Sequence, residues 1–184
     1  MAHSPLPKPK NPIWSVHLGL CCLLLTSLSL ILPSALATEK SPHTEDDEVV
    51  LTVTGKHGFE TDEEVSLTFG TIRQLPSISF TTKTPWTEGE DSWEGVRLSV
   101  LLAHLGTSSS RFHALADDGY EATFQDVDVE KYPVIVAYKK NDEYLSLREL
   151  GPLWIMFPFD QHKELDVQPI YEIAVWQLSR MEIL

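Results

Sequence analysis

The spacing of hydrophobic residues beyond position 48 predicts a sheet-dominated domain. Runs rich in β-branched and aromatic residues, several of them alternating with polar residues, are typical of strands. The predicted strands cover residues 49–54, 65–69, 78–80, 111–116, 120–124, 134–138, 144–145, 153–157 and 173–183. Leucines at helical spacing predict one clear helix over residues 97–105, and a shorter helical turn is expected at 71–75, before Pro76. Because strand and helix do not alternate regularly, the predicted fold class is α+β.

The N-terminal segment has the pattern of a secretory signal. Lys8 and Lys10 precede an uncharged, leucine-rich stretch at 18–32, and residues 35–37 supply the small-x-small cleavage pattern. Residues 1–37 are therefore predicted to be a signal peptide, and the protein is expected to be exported to the periplasm or the extracellular space. The alternative is an uncleaved membrane anchor, since the uncharged stretch is close to the length that spans a bilayer. Contact with a membrane is expected only in that case.

The composition changes again after the leader. Residues 38–47 are polar and end in an acidic run, which is typical of a solvated tether. Residues 48–184 then have the length and hydrophobic content of one folded domain. The formal net charge of the chain is −13, so its surface should repel nucleic acid and anionic lipid and favour cationic partners. A nucleic-acid partner is therefore not expected.

Independent catalytic and metal motifs are absent from the sequence. The two cysteines, Cys21 and Cys22, lie within the predicted leader, so the mature chain would contain no thiol and no disulfide. Histidine pairs at a spacing of three or four residues, which a zinc site would favour, do not occur. Asp126, Asp128 and Glu130 would share one face of an extended strand, where they could gather calcium ligands. They lack the glycine and the rhythm of a calcium loop, so a solvated strand face is the favoured interpretation.

Several dense motifs follow one another in a recognisable order. They lie at residues 84–89, 93–98, 118–120, 132–138, 151–158 and 175–183. In this order they resemble the molybdopterin-binding domain of the sulfite oxidase family, and more closely the short exported proteins that carry this domain. The resemblance extends from about Val49 to Ile183. It implies a mixed α+β fold with few short helices, and a pterin cofactor in a pocket walled by loops around the first motif.

The resemblance also implies a molybdenum ion held by a cysteine a few residues before a tryptophan. When Trp86 is matched to that tryptophan, the ligand position falls near Thr82. A threonine hydroxyl is a hard, protonated oxygen, whereas the family's ligand is a soft thiolate. The family also commonly has an arginine where Trp154 stands, which removes a positive group for the cofactor's phosphate. No bound cofactor is therefore expected, with molybdopterin as the alternative that the family suggests.

A pocket can persist without the metal. Its candidate residues combine hydroxyls, aromatic rings and cations, a mixture that suits a small ligand. They are Thr82, Thr84, Trp86, Arg97, Arg148 and Trp154. The competing interpretation is that the tryptophans pack in the core and that Arg148 forms a surface ion pair with Glu149.

Three functions follow from these observations. The favoured one is an exported, non-catalytic module that binds an unknown small ligand or an envelope partner protein, with no catalytic residue and no metal assigned. The second is a molybdopterin-dependent oxidoreductase that holds its metal without a protein sulfur. The third is a structural envelope protein with a filled pocket. Fold alone does not choose among them.

Overall fold

The computed structural model describes residues 46–58 and 64–184. The predicted leader at 1–37 and most of the predicted tether at 38–47 lie outside the described residues. Within residues 46–58 and 64–184, every helix is too short or too polar to cross a bilayer. The last tether residues contact the domain, since the Asp46 carboxylate accepts a hydrogen bond from Arg73 at 2.8 Å.

Ten strands and three α-helices make up the described domain. The strands are β1 (Val49–Gly55), β2 (Val65–Thr68), β3 (Ser77–Lys83), β4 (Glu90–Arg97), β5 (Phe112–Ala116), β6 (Glu121–Phe124), β7 (Ile135–Lys140), β8 (Glu143–Tyr144), β9 (Trp154–Met156) and β10 (Leu178–Ile183). The helices are α1 (Phe69–Gln74), α2 (Leu98–His104) and α3 (Gln168–Ile173). Single 3-10 turns occupy Leu147–Glu149 and Lys163–Leu165. This composition confirms the α+β class.

The strands form two sheets. The first has the order β2-β1-β10-β5-β6, and only its β1 and β10 pair in parallel. The second has the order β3-β4-β7-β8, with β9 pairing to β7. One hydrophobic cluster contains buried residues of both sheets and the inner face of α2, so the two sheets share a core.

Most predicted elements are present with shifted ends. The predicted helix at 97–105 corresponds to α2. The strands predicted at 134–138 and 144–145 correspond to β7 and β8, which are joined by Asn141 and Asp142 at positive φ, as a two-residue hairpin turn requires. The strand predicted at 65–69 ends at Thr68, because the Thr68 hydroxyl accepts the Thr71 N–H and caps α1.

Several elements differ from the sequence prediction. Residues 90–97 form β4, which the sequence analysis did not predict. The strand predicted at 173–183 is wrong in its first half, because Ile173 ends α3 and β10 begins at Leu178. The stretch that contains Asp126, Asp128 and Glu130 is also not an extended strand. The Asp128 carboxylate accepts the backbone N–H groups of Glu130 and Lys131, which folds this stretch into a turn.

Candidate functional site

The predicted site begins where β3 ends and the chain turns toward β4. The Thr84 hydroxyl accepts the backbone N–H groups of Trp86, at 3.2 Å, and Thr87, at 3.1 Å. It also bonds the Thr87 hydroxyl at 2.8 Å. A threonine that holds its own following backbone in this way fixes a tight turn. Thr84 therefore orients the Trp86 ring and has its hydroxyl occupied by that task.

Thr82 joins β3 to a distant segment. Its side chain is fully buried, and its hydroxyl donates to the Lys83 carbonyl at 3.2 Å and accepts the Asp160 N–H at 3.0 Å. The Asp160 carboxylate in turn accepts the Lys83 N–H at 2.6 Å. The Lys163 ammonium and this N–H hold the pKa of the Asp160 carboxyl below its usual range. The hydrogen bonds of Thr82 and Lys83 with Asp160 therefore link the end of β3 to the loop after β9.

The role of Thr82 as a link predicts a measurable loss of stability. We expect Thr82→Val to lower the free energy of unfolding by about 1–3 kcal/mol, because the Asp160 N–H loses its partner inside the protein. Urea denaturation followed by circular dichroism measures this loss. Thr81→Val is the matched control, since Thr81 is exposed on the same strand. Equal stabilities of the two variants would show that the link contributes nothing.

Trp86 lies among four other aromatic rings. Its centroid is 5.7 Å from Trp154, 5.8 Å from Tyr171, 5.8 Å from Trp176 and 6.3 Å from Phe159. The pairs with Tyr171 and Trp176 are edge-to-face, at 77° and 74°, which brings the positive edge of one ring to the negative face of the other, and the remaining two pairs are tilted. Trp86 itself is only half-buried. It therefore belongs both to the packing of the domain and to its surface.

Trp154 forms the buried side of this cluster. It is 1% exposed, and its ring lies 5.1 Å from Trp93 and 5.9 Å from Trp176. Its indole N–H donates to the Ala174 carbonyl at 3.1 Å. The packing interpretation of the sequence thus describes Trp154 well, because its ring and its one polar atom are both engaged within the protein.

The open side of the cluster is a small cleft, which we call the aromatic cleft. It has a volume of about 190 Å³. Its lining residues are Trp86, Tyr120, Gln168, Tyr171, Glu172, Ala174, Val175 and Trp176. Trp176 is placed here because the preceding Val175 carbonyl accepts the Ile155 N–H of β9 at 2.9 Å. Of the six predicted pocket residues, only Trp86 lines this cleft.

The two tyrosines of the cleft are each fixed through their hydroxyls. The Tyr120 hydroxyl donates to the Glu172 carbonyl at 2.9 Å. The Tyr171 hydroxyl donates to the Asp166 carboxylate, and this bond raises the pKa of the phenol above its usual value. The Tyr171 phenol therefore stays neutral at physiological pH, and both tyrosines present their rings, rather than free hydroxyls, to the cleft.

The two predicted arginines lie away from the aromatic cleft. Arg97 ends β4, and its guanidinium donates to the carbonyls of Val129, at 3.4 Å, and Glu130, at 3.2 Å. Arg148 is exposed in a 3-10 turn. The Glu149 carboxylate beside it contacts the Lys140 ammonium at 3.9 Å. The structure thus brings Trp86 and Trp154 into contact. Thr82 lies at the end of β3 and Thr84 in the turn that follows it. Neither arginine belongs to the cleft lining.

The residues of α3 that line the cleft were not predicted from the sequence. A signal was present, because Pro169 occupies the first turn of α3 and proline is enriched at that position of helices. A larger polar groove of about 490 Å³ was missed as well. It is lined by residues 48–52 and 145–147 and by Asp117, Pro152, Ser179 and Arg180.

Comparison with known proteins finds similarity among solved structures. No protein-family model matches the chain, and no curated protein matches it in sequence. Among solved structures, the chain is similar to the sulfane dehydrogenase SoxCD from Paracoccus pantotrophus, with a TM-score of 0.56 and 19% identity. The match covers 77% of this chain and 39% of that chain, so the protein spans about two fifths of that neighbour's length. This likeness supports the sulfite-oxidase-like fold and extends to the fold alone.

Proposed function

We propose that this protein is an exported, non-catalytic module that binds a small ligand on a sulfite-oxidase-like fold. The observation that carries the proposal is the contrast between the Thr82 position and the aromatic cleft. The position equated with the family's metal ligand is closed and internally hydrogen-bonded, whereas the aromatic cleft beside it is open. A domain with this arrangement can hold a ligand without doing metal chemistry.

The chemistry of Thr82 does not fit a molybdenum ion held by a protein sulfur. The hydroxyl is a hard oxygen that stays protonated, and soft thiolates are the ligands that such a site uses. The Thr82 side chain is fully buried, and its hydroxyl already bonds the Lys83 carbonyl and the Asp160 N–H. Binding a metal there would break both contacts. Within the described residues, no group of three or more His, Cys, Asp or Glu side chains is placed to hold an ion.

Trp154 does not supply the charge that a pterin phosphate would need. Its indole is neutral, and its N–H already donates to the Ala174 carbonyl. Cationic donors are the strong partners of phosphate groups. The predicted cations Arg97 and Arg148 do not line the aromatic cleft. The residues present therefore fit a molybdopterin cofactor poorly, and the proposal includes no chemical step through one.

The aromatic cleft supports the ligand-binding part of the proposal. Binding sites for small molecules are mostly apolar and aromatic, with a few polar groups that fix orientation. Here aromatic rings supply the walls, and the side chains of Gln168 and Glu172 supply polar groups at the edge. Export follows from the leader pattern of the sequence and remains part of the proposal.

Metal analysis of the purified protein tests the proposal against its main alternative. We expect molybdenum far below one atom per chain and no released pterin, since the Thr82 position offers no thiolate. A cysteine-containing molybdopterin enzyme produced in the same cells is the control for cofactor supply. Stoichiometric molybdenum with a bound pterin would overturn the proposal and establish the molybdopterin-dependent oxidoreductase, which the fold likeness to a sulfane dehydrogenase favours.

A further inference from the structure

We propose that the aromatic cleft is a cage for a small quaternary or methylated ammonium cation. This inference rests on the proposed ligand-binding function and names the chemical class of the ligand. Four aromatic residues carry it, namely Trp86, Tyr120, Tyr171 and Trp176. The faces of such rings attract cations held within about 6 Å of their centroids, and quaternary ammonium groups are bound in this way.

The rings are arranged as walls. Trp86 meets Tyr171 at an interplanar angle of 77° and Trp176 at 74°, with both centroid distances at 5.8 Å. Rings that meet at nearly right angles form a corner in which only one ring of each pair has a face covered by the other, whereas stacked rings each have a face covered. Tyr120 adds a fourth ring from the β5–β6 turn. The Tyr120 side chain is 45% exposed, which makes it one of the exposed large hydrophobic residues of the described domain.

Hydrogen bonds fix Tyr120 in this exposed position. Its backbone N–H donates to the Asp118 carboxylate at 2.9 Å, and its hydroxyl donates to the Glu172 carbonyl. The ring is therefore held between the β5–β6 turn and α3 before any ligand arrives. A ring that is already ordered loses little conformational entropy when a ligand binds.

The hydrogen bonding of the cleft favours a ligand whose buried head group has no N–H or O–H donors. The hydroxyls of Tyr120 and Tyr171 are already used within the protein, and the Glu172 carboxylate accepts the Gln168 amide at 3.3 Å. A primary ammonium or a sugar has several donors, and the remaining acceptor sites on Glu172 and Gln168 would pair only some of them, so the others would be unpaired on burial. A quaternary ammonium has no such donors to satisfy. The volume of about 190 Å³ is below the usual range of ligand pockets, about 300–1,000 Å³, so the cation must be small.

The charge around the cleft favours a cation. The described lining residues include the Glu172 carboxylate and no lysine or arginine. Asp118 and Asp166 lie next to the cleft through their bonds to Tyr120 and Tyr171. The Lys163 ammonium is 3.9 Å from the Asp166 carboxylate and offsets part of its charge. Glu172 is therefore the main counter-charge, within a chain whose formal net charge is −13.

A matched pair of probes tests the charge requirement. Choline and 3,3-dimethyl-1-butanol have nearly the same shape, but the second has a neutral carbon in place of the charged nitrogen. We expect saturable binding of choline to the purified protein by calorimetry, and binding of the neutral alcohol at least about tenfold weaker. Equal affinities would overturn the ammonium assignment and leave the ligand-binding proposal standing. Absence of choline binding would overturn the assignment too, while molybdenum analysis judges the non-catalytic proposal separately.

Variants test the location. We expect Tyr120→Ala and Glu172→Gln each to weaken choline binding by about three- to tenfold, the range of exposed cation–π and charge contacts. Glu143→Gln removes the same charge from β8, outside the cleft lining, and should leave the affinity unchanged. Added salt should reduce the difference between wild type and Glu172→Gln. Unchanged affinity in both cleft variants would place the site elsewhere and overturn the inference.

Discussion

Trp154→Ala is expected to lower the free energy of unfolding by about 3–5 kcal/mol. The side chain is 1% exposed, and its removal would leave a void between Trp86, Trp93 and Trp176, whose rings lie 5.1–5.9 Å away. The Ala174 carbonyl would also lose the indole N–H. Since single domains are stable by only about 5–15 kcal/mol, this loss would be a large fraction of the total. Urea denaturation followed by far-UV circular dichroism measures it.

Trp86→Ala is the matched control for this prediction. It removes the same side chain from the same aromatic cluster, but from a half-buried position next to solvent. The cost should be clearly smaller, because less surface returns to water and the surrounding side chains can rearrange. If Trp86→Ala destabilised the protein as much as Trp154→Ala, the buried and open sides of the cluster would not differ as we describe.

The elements that the sequence predicted well are those with a strong local pattern. The helix α2 is encoded by leucines at helical spacing, all on the face that meets the core. The hairpin of β7 and β8 is encoded by a hydrophobic strand and by Asn141 and Asp142, which tolerate positive φ. In both elements the local preference of the sequence agrees with the tertiary packing, so the sequence alone is enough to predict them.

The strand β4 was missed because its sequence does not look like a strand. Three of its eight residues, Glu90, Asp91 and Glu94, are acidic, and Gly95 lies within the strand. Pairing on both sides, with β3 and β7, satisfies its backbone and decides its conformation. The helix α3 was missed for a similar reason, since its six residues are too few to show a helical period.

Among the residues that line the aromatic cleft, the sequence pointed to Trp86 but not to Tyr120, Tyr171 or Glu172. The motif around Trp86 pointed to Thr82, and the separate motif at residues 151–158 pointed to Trp154; the first lies beside the aromatic cluster and the second lies in it. Tyr171 and Glu172 reach the cleft only because α3 packs there, and Tyr120 only because a turn ends beside it. These residues are far from Trp86 in the chain and belong to no recognisable motif. Their proximity is a consequence of the tertiary fold.

Gly95→Ala is expected to destabilise the protein by about 3 kcal/mol or more. A Cβ at this position would lie 2.2 Å from the Val136 carbonyl oxygen and 2.6 Å from the Ala137 Cα. Both atoms belong to the backbone of β7, which cannot move aside as a flexible side chain can. The pairing of β4 with β7 shifts register between Glu94 and Gly95, so the strands approach closely at this irregularity. Relief of the overlap would require separating two central strands of the second sheet.

Gly89→Ala separates this steric effect from the general cost of replacing glycine. Gly89 precedes the same strand and has a φ of +80°, but an added Cβ would meet no atom within 4 Å. We expect a loss of about 1 kcal/mol, because only the left-handed backbone conformation opposes alanine there. Chemical denaturation of the two variants in parallel measures the difference. A Gly95→Ala protein as stable as Gly89→Ala would mean that β4 and β7 are not in close backbone contact at this point.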